Sequence, residues 1–170
     1  MDKSGCLALY REAFPDNDIP FETALFEDCF NYCHYIKENG KIISMLFALP
    51  CELEEENTKT ECIYIYAAAT LKEYRGQGLM AKLIEEIQKA DTIVFLRPAN
   101  ERLIEFYKKF GFECIDGKKI RALPYIQPKD GFKQLAEKFN ETETGEKFTI
   151  MYWGHNKKNS KEINFLYSME

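Results

Sequence analysis

The chain has 170 residues, of which 45% are hydrophobic and 30% are charged, enough for one domain over residues 1–170 with its own hydrophobic core. Its formal net charge is −5 and no stripe of Lys and Arg is present, which argues against a nucleic-acid-binding surface because such a surface must neutralise phosphates. No apolar run reaches the length of a membrane span and no basic, then apolar leader opens the sequence. We therefore expect a cytoplasmic protein that does not bind membranes.

Two helices and a hairpin are predicted in the first part of the chain. Helical spacing of apolar residues predicts a first helix over residues 5–14. Residues 15–20, which include two prolines, read as a break before a second helix over residues 21–30. The dipeptide Asn39-Gly40 then separates two runs rich in strand-forming residues, which predicts a β-hairpin.

The central part of the chain reads as strand, turn and helix. Residues 42–53 and 61–70 are predicted strands, and the second is apolar almost throughout, which is typical of a central strand covered on both faces. Gly76 and Gly78 mark a tight corner. From Leu79 onward, apolar residues recur every four positions, which predicts an amphipathic helix.

A second strand and helix pair follows this helix. Residues 92–96 form a short predicted strand, and the next helix has Asn100 as its N-cap and Gly111 at its C-terminal end. In the last third we expect strands over 113–115, 120–123 and 148–153, a helix over 131–140, and either a strand or a tail over 163–167.

The six cysteines are not arranged as a metal site. None is in a Cys-x-x-Cys pair, and the chain has only two histidines, so no zinc-ligand spacing is present and we expect no bound metal. Several lie in apolar runs, where a free thiol behaves as a small hydrophobic side chain. We expect reduced thiols at all six positions: Cys6, Cys29, Cys33, Cys51, Cys62 and Cys114.

The glycine corner predicts a binding site for a phosphate or diphosphate. Without a Cβ, Gly76 and Gly78 allow a sharp turn and the close approach of a ligand. The first amides of the following helix lack intrahelical partners and carry partial positive charge. No Gly-Lys-Ser/Thr follows, so this is not a Walker A loop, and Ala81 stands where a Rossmann fingerprint would have its third glycine.

The segment Glu-Tyr-Arg-Gly-Gln-Gly-Leu-Met, residues 73–80, resembles the acyl-CoA-binding motif of the GNAT superfamily of N-acetyltransferases. Arg75, Gly78 and Met80 fill its three fixed positions, although Met80 replaces the usual Gly or Ala. Residues 100–112, with Asn100, a Phe-Tyr pair ending at Tyr107 and a final Gly-Phe, are similar to the family's second cofactor segment. The resemblance covers roughly the middle of the chain and fades in the last third.

The resemblance implies an α/β fold. We expect a mixed, mostly antiparallel central sheet flanked by helices on both faces, with the family's N-terminal strand missing. Residues 1–30 would form a helical segment on the substrate side, 31–112 the cofactor-binding core, and 113–170 the C-terminal strands and helix.

The resemblance also implies a site. Tyr107 would be the general acid that protonates the leaving thiolate, or, in the plainer interpretation, a residue that packs its helix on the sheet. The general base is not identified, because Tyr64 occupies the position where many members have a Glu. The residues implied to bind the cofactor are Ala68, Thr70, Arg75, Gly76, Gln77, Gly78, Leu79, Met80 and Asn100.

The implied function is transfer of an acetyl group from acetyl-CoA, used as co-substrate, to a primary amine by direct attack. The acceptor would be a small-molecule or peptide amine, and the protein a monomer or homodimer. One alternative is a non-catalytic acyl-CoA-binding module that acts as a sensor or interaction domain. Another is an unrelated nucleotide-binding α/β protein, which the second segment argues against.

Overall fold

The computed structural model describes residues 2–16, 18–55, 58–115, 122–124 and 150–154. The helices are α1 (Lys3–Ala13), α2 (Ile19–Asp28), α3 (Leu79–Gln88) and α4 (Glu101–Lys108). The strands are β1 (Cys33–Glu38), β2 (Lys41–Glu55), β3 (Thr58–Thr70), β4 (Ile93–Leu96), β5 (Glu113–Ile115), β6 (Ala122–Pro124) and β7 (Ile150–Trp153).

The strands form one mixed sheet in the order β1-β2-β3-β4-β7-β5, with β6 paired to β2. Among these described strands, β3 and β4 form the only parallel pair, and every other pair is antiparallel. The first described strand, β1, follows α2, as expected for a chain that lacks the family's N-terminal strand. The predicted mixed, mostly antiparallel sheet is confirmed.

Helices cover both faces of the sheet. Side chains of α1 and α2, among them Tyr10 and Leu25, pack with Phe47 of β2 in one buried cluster. Side chains of α3 and α4, among them Ile84, pack with Leu96 of β4 in a second cluster on the other face. Strand β3 contributes to both clusters, which explains why its sequence is apolar almost throughout.

Local signals explain most element boundaries. Asn39 and Gly40 both have positive φ, 47° and 83°, as the two central residues of a type I′ hairpin turn require, so the predicted hairpin is confirmed. Helix α2, in contrast, starts earlier than predicted. Pro20 lies in its first turn, where proline is tolerated, and the side chain of Asp18 accepts a hydrogen bond from Phe21 N at 2.9 Å.

The last third is described only in part. Strands β5, β6 and β7 lie where strands were expected. The predicted helix over 131–140 and the predicted last strand or tail over 163–167 lie outside the described residues. Within the described chain, no helix has the length and apolar character needed to cross a membrane.

Candidate active site

The sheet opens between β3 and β4. Their last paired residues are Ile65 and Leu96, but β3 continues to Thr70. In the described chain, none of the last five residues of β3 pairs with β4, and three of them, Tyr66, Ala69 and Thr70, pair with β2 on the other side. One edge of this strand, including the backbone of Ala68 and Thr70, is therefore available to an extended ligand, since an unpaired strand edge exposes N–H and C=O groups.

A bulge interrupts β3 where the sheet opens. Phe47 pairs with Tyr66 and Met45 pairs with Ala69, so two residues of β3 oppose the single residue between them on β2. Ala67 at this bulge has φ of 50°, an unusual value for a residue with a Cβ. Bulges of this kind bend a strand and are common beside active sites.

The corner between β3 and α3 presents free backbone amides. Gly76 and Gly78 have φ of 80° and 74°, and a Cβ added to either would meet no atom within 4 Å. Gly78 is the N-cap of α3, and no side chain caps this end. In the described chain, the amides of residues 76–81 donate no hydrogen bond to the backbone, whereas the amide of Arg75 donates to Lys72 O at 3.4 Å. The free amides therefore begin at Gly76.

Three contacts fix this corner to the sheet. Arg75 Nε donates a hydrogen bond to the carbonyl of Thr70 at 3.0 Å. Leu71 N donates to Ile43 O at 3.0 Å, which extends the pairing with β2 past the end of β3. Lys41 and Glu73, both about half exposed, form an ion pair at 3.0 Å. The corner is therefore held in place before any ligand binds, although the Thr70 carbonyl is already engaged by Arg75.

The two predicted site residues of α4 lie in different surroundings. Asn100 is exposed and caps the helix, because its Oδ1 accepts a hydrogen bond from Leu103 N at 3.1 Å. Tyr107 is only 6% exposed, and its ring contacts those of Phe106 and Phe112 at centroid distances of 5.2 and 5.8 Å. Burial raises the pKa of Tyr107 to about 12. Its phenol therefore stays protonated at neutral pH and can donate a proton.

The residue on β3 where many members of the resembled family have a catalytic Glu is Tyr64, which is not acidic. Tyr64 is buried and its ring stacks on that of Phe95 at 4.8 Å. Glu61, the acidic residue nearest to it along β3, is exposed. Sequence and structure therefore agree that this strand supplies no buried carboxylate at that position.

One buried carboxylate was missed by sequence reasoning. Glu22 in the first turn of α2 is 2% exposed, and Arg11 Nη2 lies 2.6 Å from its Oε1. Burial raises the pKa of Tyr10 on α1, and the nearby charge of Glu22 adds to this effect. The signal was helical spacing: Glu22 precedes the buried Leu25 and Phe26 by three and four positions and therefore shares their face.

Comparison with known proteins agrees with this architecture. The family model described as acetyltransferase (GNAT) domain matches residues 1–115. No curated protein sequence matches the chain. The fold resembles a Bacillus subtilis N-acetyltransferase solved with coenzyme A, at 12% identity and a TM-score of 0.56, covering 89% of this chain and 90% of that one.

Two further solved structures are similar. A Corynebacterium glutamicum protein, described as histone acetyltransferase HPA2 and related acetyltransferase, aligns at 18% identity and a TM-score of 0.57 over 90% of this chain and 91% of that one. A probable N-acyltransferase from Enterococcus faecalis aligns at 17% identity and a TM-score of 0.54 over 71% of this chain. The aligned part spans only 35% of the Enterococcus chain.

The fold and the corner define a class: an α/β domain in which free amides at a helix N-terminus, suited to bind a phosphate group, lie beside a split sheet. Because the family model covers more than half of the sequence, the chain belongs to the GNAT acetyltransferase family. The structural matches, all below 25% identity, establish the fold.

Proposed function

We propose that this protein is an N-acyltransferase that moves an acetyl group from acetyl-CoA to a primary amine by direct attack. The observation that carries the proposal is the row of free amides after Arg75, next to the open edge of β3. Family membership and the coenzyme A in the Bacillus subtilis structure support the choice of co-substrate.

The corner supplies the binding part of the proposed mechanism. The amides of residues 76–80 hold the diphosphate, and the glycine at 78 allows it to approach the backbone. Ala68 and Thr70 present main-chain groups to the extended arm of the cofactor. The Thr70 carbonyl also accepts a hydrogen bond from Arg75. Asn100 donates a hydrogen bond to the cofactor from its side-chain amide nitrogen, because its side-chain oxygen already caps α4. These contacts align the reacting groups, which is a large part of catalysis in transfer reactions.

Tyr107 is the proton donor of the proposed reaction. Bound acetyl-CoA provides the acetyl group as a thioester. Tyr107 is held as a neutral phenol by burial and protonates the departing thiolate sulfur. Since Tyr64 stands at the position of the family's base, the acceptor amine reaches the site already neutral or loses its proton to water.

A second candidate function is a non-catalytic acyl-CoA-binding module. The observation that favours it is Tyr64, which is buried against Phe95 and leaves this position of β3 without a carboxylate. Such a module would bind acetyl-CoA at the same corner, and amines would not accelerate thiol release.

The rate of free-thiol release from acetyl-CoA over a panel of amines separates the two functions. Tyr107→Phe should lower kcat by roughly tenfold to a thousandfold, the range for loss of one proton donor, and should leave acetyl-CoA affinity unchanged. Tyr35→Phe is the matched control, because Tyr35 lies on β1 and stacks on Phe30, outside the corner and α4. An unchanged rate in Tyr107→Phe would remove the phenol from the mechanism, and no amine-dependent release by the wild type would favour the module.

A further inference from the structure

A row of aromatic rings runs from β4 across β3 to α2. The ring of Phe95 on β4 stacks on that of Tyr64 on β3 at a centroid distance of 4.8 Å, and the ring of Tyr64 lies 6.1 Å from that of Tyr66. Phe21 of α2 meets Tyr66 edge to face at 5.6 Å. Phe95 and Tyr64 are buried, whereas Tyr66 and Phe21 are partly exposed. The row therefore ends in two rings that a ligand can reach.

Tyr66 stands at the first open position of β3. Ile65 is the last residue of this strand that pairs with β4, and Tyr66 follows it directly. Tyr66 and Phe21 both pack on the buried cluster of α1 and α2, together with Tyr64, which precedes Tyr66 by two positions and so lies on the same face of the strand. The reachable end of the row thus lies at the opening of the sheet, on the face covered by α1 and α2.

The acidic side chains next to Phe21 already have structural partners. Two acidic residues lie within three positions of it, Asp18 and Glu22. Asp18 accepts a hydrogen bond from Phe21 N at 2.9 Å and so caps α2. Glu22 is buried, and both of its oxygens accept hydrogen bonds from Arg11, at 3.1 and 3.0 Å from Nε and 2.6 Å from Nη2. What Phe21 and Tyr66 present at the opening is therefore aromatic surface.

We propose that Phe21 and Tyr66 form the acceptor subsite and select primary amines that carry an aromatic or bulky apolar group beside the amino group, in preference to diamines and polyamines. The proposal rests on the acyl-transfer function proposed above. An apolar group that covers the two rings removes apolar surface from water, and aromatic pairs add to this gain. Apolar surroundings also disfavour a charged amine, so the subsite presents the neutral form that direct attack needs.

The subsite places the amine on the face opposite the proton donor. Tyr107 packs in the cluster of α3 and α4 on the other side of the sheet. The nitrogen lone pair attacks the acyl carbon, the C–N bond forms and the C–S bond breaks. The departing sulfur takes the proton of Tyr107, the amine proton leaves to water, and water returns a proton to the phenol.

Initial rates of thiol release from acetyl-CoA over matched amines test the proposal. Phenethylamine is compared with putrescine, and a tetrapeptide that begins with phenylalanine is compared with one that begins with lysine. The two pairs distinguish a small-molecule acceptor from a peptide acceptor. We expect kcat/KM to be about tenfold higher or more for the aromatic member of one or both pairs, which is the discrimination that an apolar contact of this size provides.

Three variants assign the preference to the two rings. Phe21→Ala should raise KM for the preferred aromatic amine by about tenfold and leave the affinity for acetyl-CoA unchanged. Tyr35→Ala is the matched control, because Tyr35 is another partly exposed ring of the same cluster but lies on β1 and stacks on Phe30. It should keep the KM and the preference of the wild type. Tyr66→Phe retains the ring and should keep the preference as well.

The outcomes separate the subsite from the function on which it rests. No preference within either pair, a preference for putrescine or the lysine peptide, an equal rise of KM in Phe21→Ala and Tyr35→Ala, or loss of the preference in Tyr66→Phe would each overturn the subsite and leave acyl transfer in place. No thiol release with any amine would instead remove the function, and the subsite with it.

Discussion

At the scale of single residues, burial decides what the side chains of the site can do. Tyr107 makes no charged contact that shifts its titration, and burial alone raises its pKa from 10.0 to about 12. Glu22, also buried, stays with Arg11 as an ion pair. The family resemblance pointed to Tyr107, whereas only the helical spacing from Glu22 to the buried Leu25 and Phe26 marks that carboxylate in the sequence.

The raised pKa of Tyr107 predicts a measurable loss of stability at high pH. The folded protein disfavours the phenolate, so the stabilisation from this shift is complete below pH 10 and is lost as pH rises from 10 towards 12. Between pH 10 and pH 12, the wild type should lose about 2–3 kcal/mol more of its free energy of unfolding than Tyr107→Phe does. The reason is that each pKa unit corresponds to about 1.4 kcal/mol. Urea unfolding at a series of pH values measures this.

Tyr35→Phe again serves as the control, because Tyr35 lies on β1, outside α4. Burial also raises the pKa of Tyr10 and Tyr66, so all three proteins should lose stability in alkali. The difference between variants therefore isolates Tyr107. Parallel curves for Tyr107→Phe and wild type would show that the phenol is not desolvated in the folded protein.

At the scale of elements, the ends of helices explain the site better than their faces do. Helix α3 begins at Gly78 with free amides and no side-chain cap, whereas α4 begins at Asn100 with a side-chain cap. The uncapped end is the one placed beside the open strand edge. An N-terminus without a cap is costly unless water or an anion satisfies its amides, and this agrees with a ligand at the corner.

Asn100 allows the capping and binding roles to be separated. Asn100→Ala should lower the free energy of unfolding by about 1 kcal/mol, because Leu103 N loses its acceptor. Asn100→Asp should keep the stability, since a carboxylate oxygen also caps a helix. It should nevertheless weaken acetyl-CoA binding, because it replaces the amide donor by a negative charge. Thermal unfolding and calorimetric titration of both variants measure the two effects, and full affinity in Asn100→Asp would restrict this residue to capping.

The elements also show how far sequence reasoning reaches. The hairpin at Asn39-Gly40, the corner at Gly76 and Gly78 and the cap at Asn100 were predicted because each depends on the chemistry of one or two residues. The bulge at Ala67 was not predicted, because its positive φ arises from register with β2 and no glycine marks it. The early start of α2 was missed for a similar reason, since Pro20 both breaks and begins helices.

At the scale of the whole molecule, one topological feature organises the site. Among the strands that the structure describes, only β3 and β4 run parallel, and they stop pairing at Ile65 while β3 continues. The bulge lies in β3 beside this split, and the corner follows directly after the end of that strand. The two helical layers differ in what they contribute. Helix α3 carries the free amides and helix α4 carries the phenol of Tyr107, whereas α1 and α2 cover the opposite face of the sheet.

Calorimetric titration of acetyl-CoA into the wild type, Gly78→Ala and Gly40→Ala tests most directly whether the corner amides hold the cofactor. Both glycines have positive φ, 74° and 83°, and open space around them, so the two substitutions impose similar backbone strain. We expect Gly40→Ala to bind as the wild type does and Gly78→Ala to bind about tenfold more weakly or worse, a loss of ~1.4 kcal/mol. Equal affinities for the two variants, or no binding of acetyl-CoA by the wild type, would contradict the proposed site.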